Sequence, residues 1–431
     1  MTNDIGQEHS STWRRTALQY FIIAAISTVL GLFSYEGWYQ WNSFQSYREG
    51  RSEEGRWSSG LIVTLKHVAK GGEFFHVSPE EFSRRGLHLV TNIPGNFFTC
   101  MEAKILRTHF DQHGFRNSEE IWQKKDWKIA IVGDSFGFGA CVEEDETIAF
   151  AIRQRYPKTI NVSRAGSSPV DQHAILKEYL LPFRPKLVVW LFYEGNDLRQ
   201  IQDYPSYAER YLDDPNYHQG LLQRNQEIVA IARQHNKLDV IIKEYLSKNC
   251  GGQCGDVESL THNQLVETLR AKGDALFDTE VRSHSSTGIK TFFVRFVKLT
   301  QVRSLFSLIG IYVDATDISD QTIDKAALSI SRSKTLVEAW GGRFVFVYLP
   351  ESTRFSSGRW NKYHLDNMAR LMGALRKSNL DIVDVSKYLW DEDNPTKYYT
   401  YGSQGGHFSP EGYQFVGKII LNHVEPFLQK K

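Results

Sequence analysis

From Trp127 onward the hydrophobic positions fall into short apolar runs separated by stretches with the 3.6-residue spacing of helices. Lys128-Ile-Ala-Ile-Val132, Thr159-Ile-Asn-Val162, Leu187-Val-Val-Trp-Leu-Phe192, Arg343-Phe-Val-Phe-Val-Tyr-Leu349 and Leu380-Asp-Ile-Val-Asp-Val385 predict five strands. Helical patterns lie between them at Glu146 to Tyr156, Gln172 to Leu181, Ile323 to Ala339 and Tyr363 to Lys377. Strands that are apolar on both faces and alternate with helices predict an α/β domain whose parallel sheet is wrapped by helices. About 130 residues, Arg199 to Ser329, separate the third strand from the fourth, far more than an ordinary crossover needs. They are expected to form an insertion, mainly helical in pattern at Glu227 to Lys248 and Asn263 to Asp278. No internal repeat is visible.

Nearer the start, Thr16 to Tyr35 is a run of twenty residues without a charge. At roughly 1.5 Å per residue such a helix spans about 30 Å of hydrocarbon. Arg14 and Arg15 precede it, while Tyr35, Trp38, Tyr39 and Trp41 follow as an aromatic belt. The positive-inside rule then puts the N-terminus in the cytoplasm and the rest of the chain outside. A cleaved signal peptide is the competing reading, but Phe33-Ser34-Tyr35 is a poor small-x-small cleavage site. A core helix of this length would carry a polar stripe. The expected organisation is a cytoplasmic tail over 1–15, a transmembrane anchor over 16–35, a linker and lead-in region over 36–126, and an α/β domain over 127–431 that contains the insertion at 199–329.

Composition narrows the function classes. Hydrophobic residues at 41%, charged residues at 23% and aromatics at 13% of 431 residues describe a folded protein. A formal charge of +1 provides no long-range field to favour nucleic acid. Cys250 and Cys254 flank Gly-Gly-Gln and could close a small disulfide loop, form half of a metal site, or remain thiols; Cys100 and Cys141 do not obviously complete a metal site. His109 and His113 share the i, i+4 spacing of a helical metal pair, but Gly114 and the want of further ligands count against it. No metal or cofactor is expected.

In an open parallel sheet, ligands collect outside the carboxyl ends of the strands. After the first strand comes Gly133-Asp134-Ser135-Phe136-Gly137, a hydroxyl on a glycine-flanked turn. After the second comes Ser163-Arg164-Ala165-Gly166-Ser167-Ser168, whose backbone amides can point inward. After the third comes Tyr193-Glu194-Gly195-Asn196-Asp197, with a side-chain amide on a tight turn. Past the fifth lies Gly406-His407-Phe408-Ser409-Pro410-Glu411-Gly412-Tyr413, an imidazole just before a helix start. Acyl cleavage by a serine needs a base for its proton and donors for the oxyanion. Ser135 supplies the nucleophile and His407 the base. The amides of Ser135 and Gly166 and the side chain of Asn196 can converge as an oxyanion hole. Asp134 and Asp197 read as turn-bonding carboxylates, Glu194 as a solvated one. Arg164 could meet an anionic substrate group. His173, His109 and His113 are lesser candidates for the base.

These four blocks, in this order and at strand ends, resemble the SGNH or GDSL-type hydrolase superfamily over roughly residues 127 to 200 and 340 to 425. The resemblance implies a flavodoxin-like three-layer, doubly wound parallel sheet, Ser135 as nucleophile, His407 as base, and Ser135, Gly166 and Asn196 as the oxyanion hole. The lead-in His-Gly-Phe-Arg segment is similar to that of membrane-anchored bacterial envelope members. It implies an esterase, deacetylase or acyltransferase acting outside the cytoplasmic membrane, in the periplasm, on an esterified glycan, lipid or small molecule. The sequence does not choose between water and a sugar hydroxyl as acceptor.

One departure stands out. The family's C-terminal block carries an Asp two or three residues before the His, and here those positions are Gln404 and Gly405. Three readings remain open: a Ser-His dyad, a carboxylate from elsewhere with Asp391, Glu392 and Asp393 nearest in sequence, or a catalytically inactive, membrane-tethered binding or assembly protein.

Overall fold

A computed structural model describes residues 20–24, 26–38, 41, 87–88, 95–99, 106–203, 207–235, 243, 247, 256, 259, 264, 296–297, 302, 318–355, 362–400 and 406–429. The chain divides into two compact units, Met1–Glu53 with Asp278–Asp317, and Glu54–Phe277 with Ile318–Lys431.

The second unit is built on strands β3 (Ile129–Val132), β4 (Thr159–Asn161), β5 (Leu187–Tyr193), β6 (Arg343–Leu349) and β7 (Asp381–Asp384). All pair in parallel, in the order β4-β3-β5-β6-β7. The expected α/β class and each expected strand are present, with ends that differ by no more than a residue or two.

Strand alternation explains the layering, because successive side chains leave a strand on opposite faces. Ile129, Ile131, Leu187, Val189, Leu191, Val345 and Val347 face one core. Ala130, Val132, Val188, Trp190, Phe192, Phe344 and Phe346 face the other. A sheet that is apolar on both sides must be covered on both. The first core is closed by α2 (Ile148–Arg155), α8 (Val385–Trp390) and α9 (Pro410–Leu428), which bring Ile148, Ile152, Leu389, Val416 and Ile420. The second is closed by α3 (Pro169–Ile175), α6 (Asp320–Ala339) and α7 (Lys362–Leu375), through Ala174, Ile323, Ala326, Ile330 and Leu371.

Three short elements complete the frame. The one-turn helix α1 (Ser135–Phe138) follows β3, α4 (Asp197–Asp203) follows β5, and α5 (Asn225–His235) lies further along. Of the expected insertion, the described residues between 204 and 317 show a 3-10 turn at Tyr207–Glu209, a one-turn helix at Arg210–Asp213 and α5; 265–278 lies outside them. The lead-in region contains an antiparallel pair, β1 (Gly95–Thr99) against β2 (Leu106–Phe110).

In the first unit, Tyr20–Trp38 is a helix long and apolar enough to cross a membrane, with mean hydropathy 1.4. Residues 16–19 of the expected span lie outside the described residues. Near the end of this helix Phe33 meets the ring of Phe296 at 5.5 Å. The buried Glu36 carboxylate accepts the Val302 N–H at 2.9 Å.

Candidate active site

The strand order reverses direction at β3, whose neighbours β4 and β5 lie on either side. Loops leaving adjacent strands in opposite directions open a crevice at their carboxyl ends. Ser135, Gly166 and Asn196 follow β3, β4 and β5 respectively.

Ser135 opens α1, where Asp134 caps the turn by accepting the Phe136 N–H at 2.9 Å. Gly139, at φ +81°, closes it with its N–H on the Ser135 carbonyl. A single turn cannot hold itself together, so these caps carry its geometry. Close packing fixes its position: a Cβ on Gly137 would lie 2.3 Å from Ser163 Oγ and 2.8 Å from Ser163 Cβ. Asn161 ties the loops together, its amide donating to the Gly137 carbonyl at 2.9 Å and its Oδ1 accepting the Ser163 N–H at 3.0 Å.

His407 Nε2 lies 2.8 Å from Ser135 Oγ, a contact between residues 272 apart in the chain. The serine hydroxyl also lies 3.3 Å from Asp134 Oδ2, the longer of its two contacts. The imidazole packs on Phe136 with ring centroids 4.9 Å apart. Its carbonyl accepts from Thr400 N at 2.9 Å and from Thr400 Oγ1 at 3.0 Å. Ser409 caps the following helix by accepting the Gly412 N–H at 3.2 Å, and Pro410 fills its first position, where a missing N–H costs nothing.

On the far side of the ring, His407 Nδ1 lies 3.7 Å from the sulfur of Cys141. Cys141 is buried and disulfide-bonded, with its partner outside the described residues. Asp391 and Asp393 follow α8 on the exposed surface and make no hydrogen bond to His407. Glu392 accepts from Tyr398 Oη at 2.9 Å and pairs with Lys397. Gln404 and Gly405, like Cys100, Cys250 and Cys254, lie outside the described residues.

Gly166 sits at φ +76°, exposed, in the left-handed region that glycine enters without steric cost. Asn196 precedes α4 and is half-buried, and its Oδ1 is enclosed without a hydrogen-bond partner. Asp197, fully buried, accepts the Tyr193 N–H at 3.0 Å and holds the turn between them. Glu194 is buried against Arg354, which donates from Nε at 3.2 Å; it is not the solvated carboxylate its position suggested. Arg164 is half-buried, with its Nε enclosed.

The electrostatics behind the serine are set by burial. Desolvation pushes the Asp134 carboxyl above its ordinary value, opposed by the Phe136 amide and the charge of His407. Desolvation and the neighbouring Asp134 drive Asp197 further up. Two buried carboxyls that repel favour proton retention on at least one of them.

Several supporting residues escaped the sequence reading. Arg116 donates to the Gly139 carbonyl at 2.6 Å, to the Val142 carbonyl at 2.9 Å and to Glu144 at 2.8 Å, and lies over the Phe138 ring. Asn117 bonds Asp111 at 2.8 Å and the Asn161 carbonyl at 2.9 Å. The lead-in is therefore packed behind the Ser135 turn. His109 pairs with Glu119 at 3.3 Å and His113 packs on Trp122, ring centroids 4.1 Å apart. Burial depresses His113 to about 4. His173 Nδ1 contacts Ser333 Oγ at 2.8 Å. Among the described residues no group of three or more potential metal ligands is found.

No family model matches the chain, and no curated protein matches it. Among solved structures it is similar to the lipase/acylhydrolase from Enterococcus faecalis, at 12% identity and a TM-score of 0.33, over 71% of this chain and 98% of that one. A protein of the G-D-S-L lipolytic family from Desulfitobacterium hafniense DCB-2 matches at 12% identity and a TM-score of 0.30, covering 69% and 99%. An alpha/beta hydrolase enzyme from the metagenome of Lake Arreo, Spain, matches at 12% identity and a TM-score of 0.29, covering 69% and 95%.

Proposed function

We propose that the chain is a serine acyl-ester hydrolase or acyltransferase of the SGNH type, anchored by its apolar helix and acting outside the cytoplasmic membrane on an esterified envelope glycan or lipid. The observation that carries the chemistry is the 2.8 Å contact between Ser135 Oγ and His407 Nε2. That distance lies within the range a general base requires. His407 takes the hydroxyl proton as Oγ attacks the ester carbonyl carbon. The charge then develops on the carbonyl oxygen, where the amides of Ser135 and Gly166 and the side chain of Asn196 are the proposed donors. The alcohol leaves with the proton from His407, and water or an acceptor hydroxyl cleaves the acyl-serine by the same steps in reverse.

The test is turnover of a nitrophenyl acyl ester together with labelling by a fluorophosphonate. The expected result is labelling of Ser135, lost in Ser135→Ala, and turnover lowered at least a thousandfold in both Ser135→Ala and His407→Ala, on the scale of a removed triad member. Full turnover by Ser135→Ala would sink the reading. The exposure of Asp391 and Asp393 away from His407 favours a second reading, a catalytically silent tethered binding protein. Folded protein that never labels at Ser135 is its expected signature.

A further inference from the structure

We propose that the disulfide sulfur of Cys141 is a positioning group behind His407, accepting from its Nδ1. The inference rests on reading Ser135 and His407 as nucleophile and base. The imidazole has one nitrogen on each side, with Nε2 2.8 Å from Ser135 Oγ and Nδ1 3.7 Å from Cys141 Sγ. Catalysis needs the tautomer with the proton on Nδ1 and the lone pair on Nε2. A thiol could donate its own proton to Nδ1 and select the opposite tautomer. A disulfide sulfur has no proton and can only accept. Because Cys141 is oxidised, its contact with Nδ1 selects the tautomer that leaves Nε2 free to take the serine proton.

The sulfur is also held in place. Cys141 is buried and sits at φ +70°, a conformation that a non-glycine residue rarely adopts and that persists only where its surroundings impose it. Those surroundings are the fastened carbonyls on either side. Ala140 O accepts from Tyr413 Oη at 2.9 Å, from the helix that follows His407, and Val142 O accepts from Arg116 at 2.9 Å. Tyr413 thus ties the cysteine loop to the helix that presents the histidine. An uncharged sulfur orients the ring without stabilising the imidazolium as a carboxylate would. Its removal should therefore cost less than the roughly 10⁴ in turnover that a triad carboxylate can supply.

The experiment uses the full chain labelled with 15N-histidine, with the His407 resonances identified by their loss in His407→Gln. In oxidised protein a single tautomer is expected, protonated at Nδ1 and bare at Nε2. In Cys141→Ala, and independently in wild type reduced by a phosphine, the two nitrogens should move towards averaged shifts. The kcat for a nitrophenyl ester should fall on the order of tenfold or more while KM stays within about twofold. Both samples are compared with wild type by circular dichroism, so that an unfolded variant is replaced by the reduced protein. A folded, reduced protein that keeps the fixed tautomer and its kcat overturns the proposal. If the tautomer is released as expected but wild type neither turns over esters nor labels at Ser135, the hydrolase reading fails while the sulfur–imidazole pairing stands.

Discussion

Arg116 donates through Nη1 to the carbonyl of Gly139 at 2.6 Å, joining the lead-in region to the end of the turn that begins at Ser135. Its Nη2 holds Val142 O at 2.9 Å, so one guanidinium satisfies two backbone acceptors on either side of Cys141. A lysine is a point charge and cannot fork across both.

Arg116→Lys is expected to lose one of these bonds and Arg116→Met both, leaving enclosed carbonyls that cost roughly 1–3 kcal/mol each. Denaturant unfolding should place Met below Lys below wild type. Because Gly139 closes the turn that begins at Ser135, fluorophosphonate labelling should slow in the same order. Equal stability of the three proteins would remove this tie from the account of the site.

Gly137 is expected to tolerate no larger residue while Ser163 is present. A Cβ there would lie 2.3 Å from Ser163 Oγ and 2.8 Å from its Cβ, inside any real contact. Gly137→Ala should cost about 1–3 kcal/mol, as overpacking does, and displace Ser135 from His407. The double variant Gly137→Ala with Ser163→Gly removes the obstructing atoms and should recover a large part of both stability and labelling. A double variant no better than Gly137→Ala would place the cause elsewhere than this approach.

How far the chain announces these relationships depends on their range. β3, β5 and β6 are legible because each is a dense apolar run, β4 and β7 because their short mixed runs, Thr-Ile-Asn and Asp-Ile-Val-Asp, follow helical patterns. Both cores follow from alternation along Leu187 to Tyr193 and Arg343 to Leu349. The Ser135 and His407 blocks are legible because each carries local turn and cap chemistry. What holds them is not, since Arg116 meets Gly139 across 23 residues and Cys141 meets His407 across 266. No local pattern encodes either contact. Nearness in sequence made Asp391 and Asp393 candidates behind the histidine, yet the turn after α8 carries them onto the exposed surface. The β1–β2 pairing has no clear signal in the sequence because both runs are short.

The Asp134 and Asp197 carboxyls are both raised by burial, and the charge on Asp134 raises Asp197 further. An acid whose folded value is raised contributes stability below its unfolded value near pH 4, and that contribution is lost as pH rises through the folded value. Asp197→Asn retains an oxygen for the Tyr193 amide, now 3.0 Å away, and removes the charge. The variant should gain stability over wild type at pH 8 and lose that advantage near pH 4. A constant difference in unfolding free energy across that range would mean that Asp197 does not titrate as its burial demands.

Histidine burial works in the opposite direction. Desolvation lowers His173 to about 3 and His113 to about 4, so both are neutral in the fold at pH values where an unfolded histidine is charged. Their stability is fully present above pH 6.5 and is lost as pH falls towards those values, because the unfolded chain then binds the extra proton. Asp111, raised to about 6 by the same burial, loses its contribution as pH rises from about 4 to 6 and so offsets one histidine there. The decisive quantity is therefore a difference between proteins. His173→Gln keeps a polar partner for Ser333, whose Oγ lies 2.8 Å from the ring, without the titration. The unfolding free energy of wild type minus that of the variant should rise between pH 4 and 6.5, by on the order of 3 kcal/mol. It should be flat above pH 7. Combining His173→Gln with His113→Gln should steepen the difference further, whereas adding Asp111→Asn to wild type should shift the curve with the opposite slope between pH 4 and 6. Parallel pH profiles for wild type and His173→Gln would show that this histidine charges as readily in the fold as in the unfolded chain.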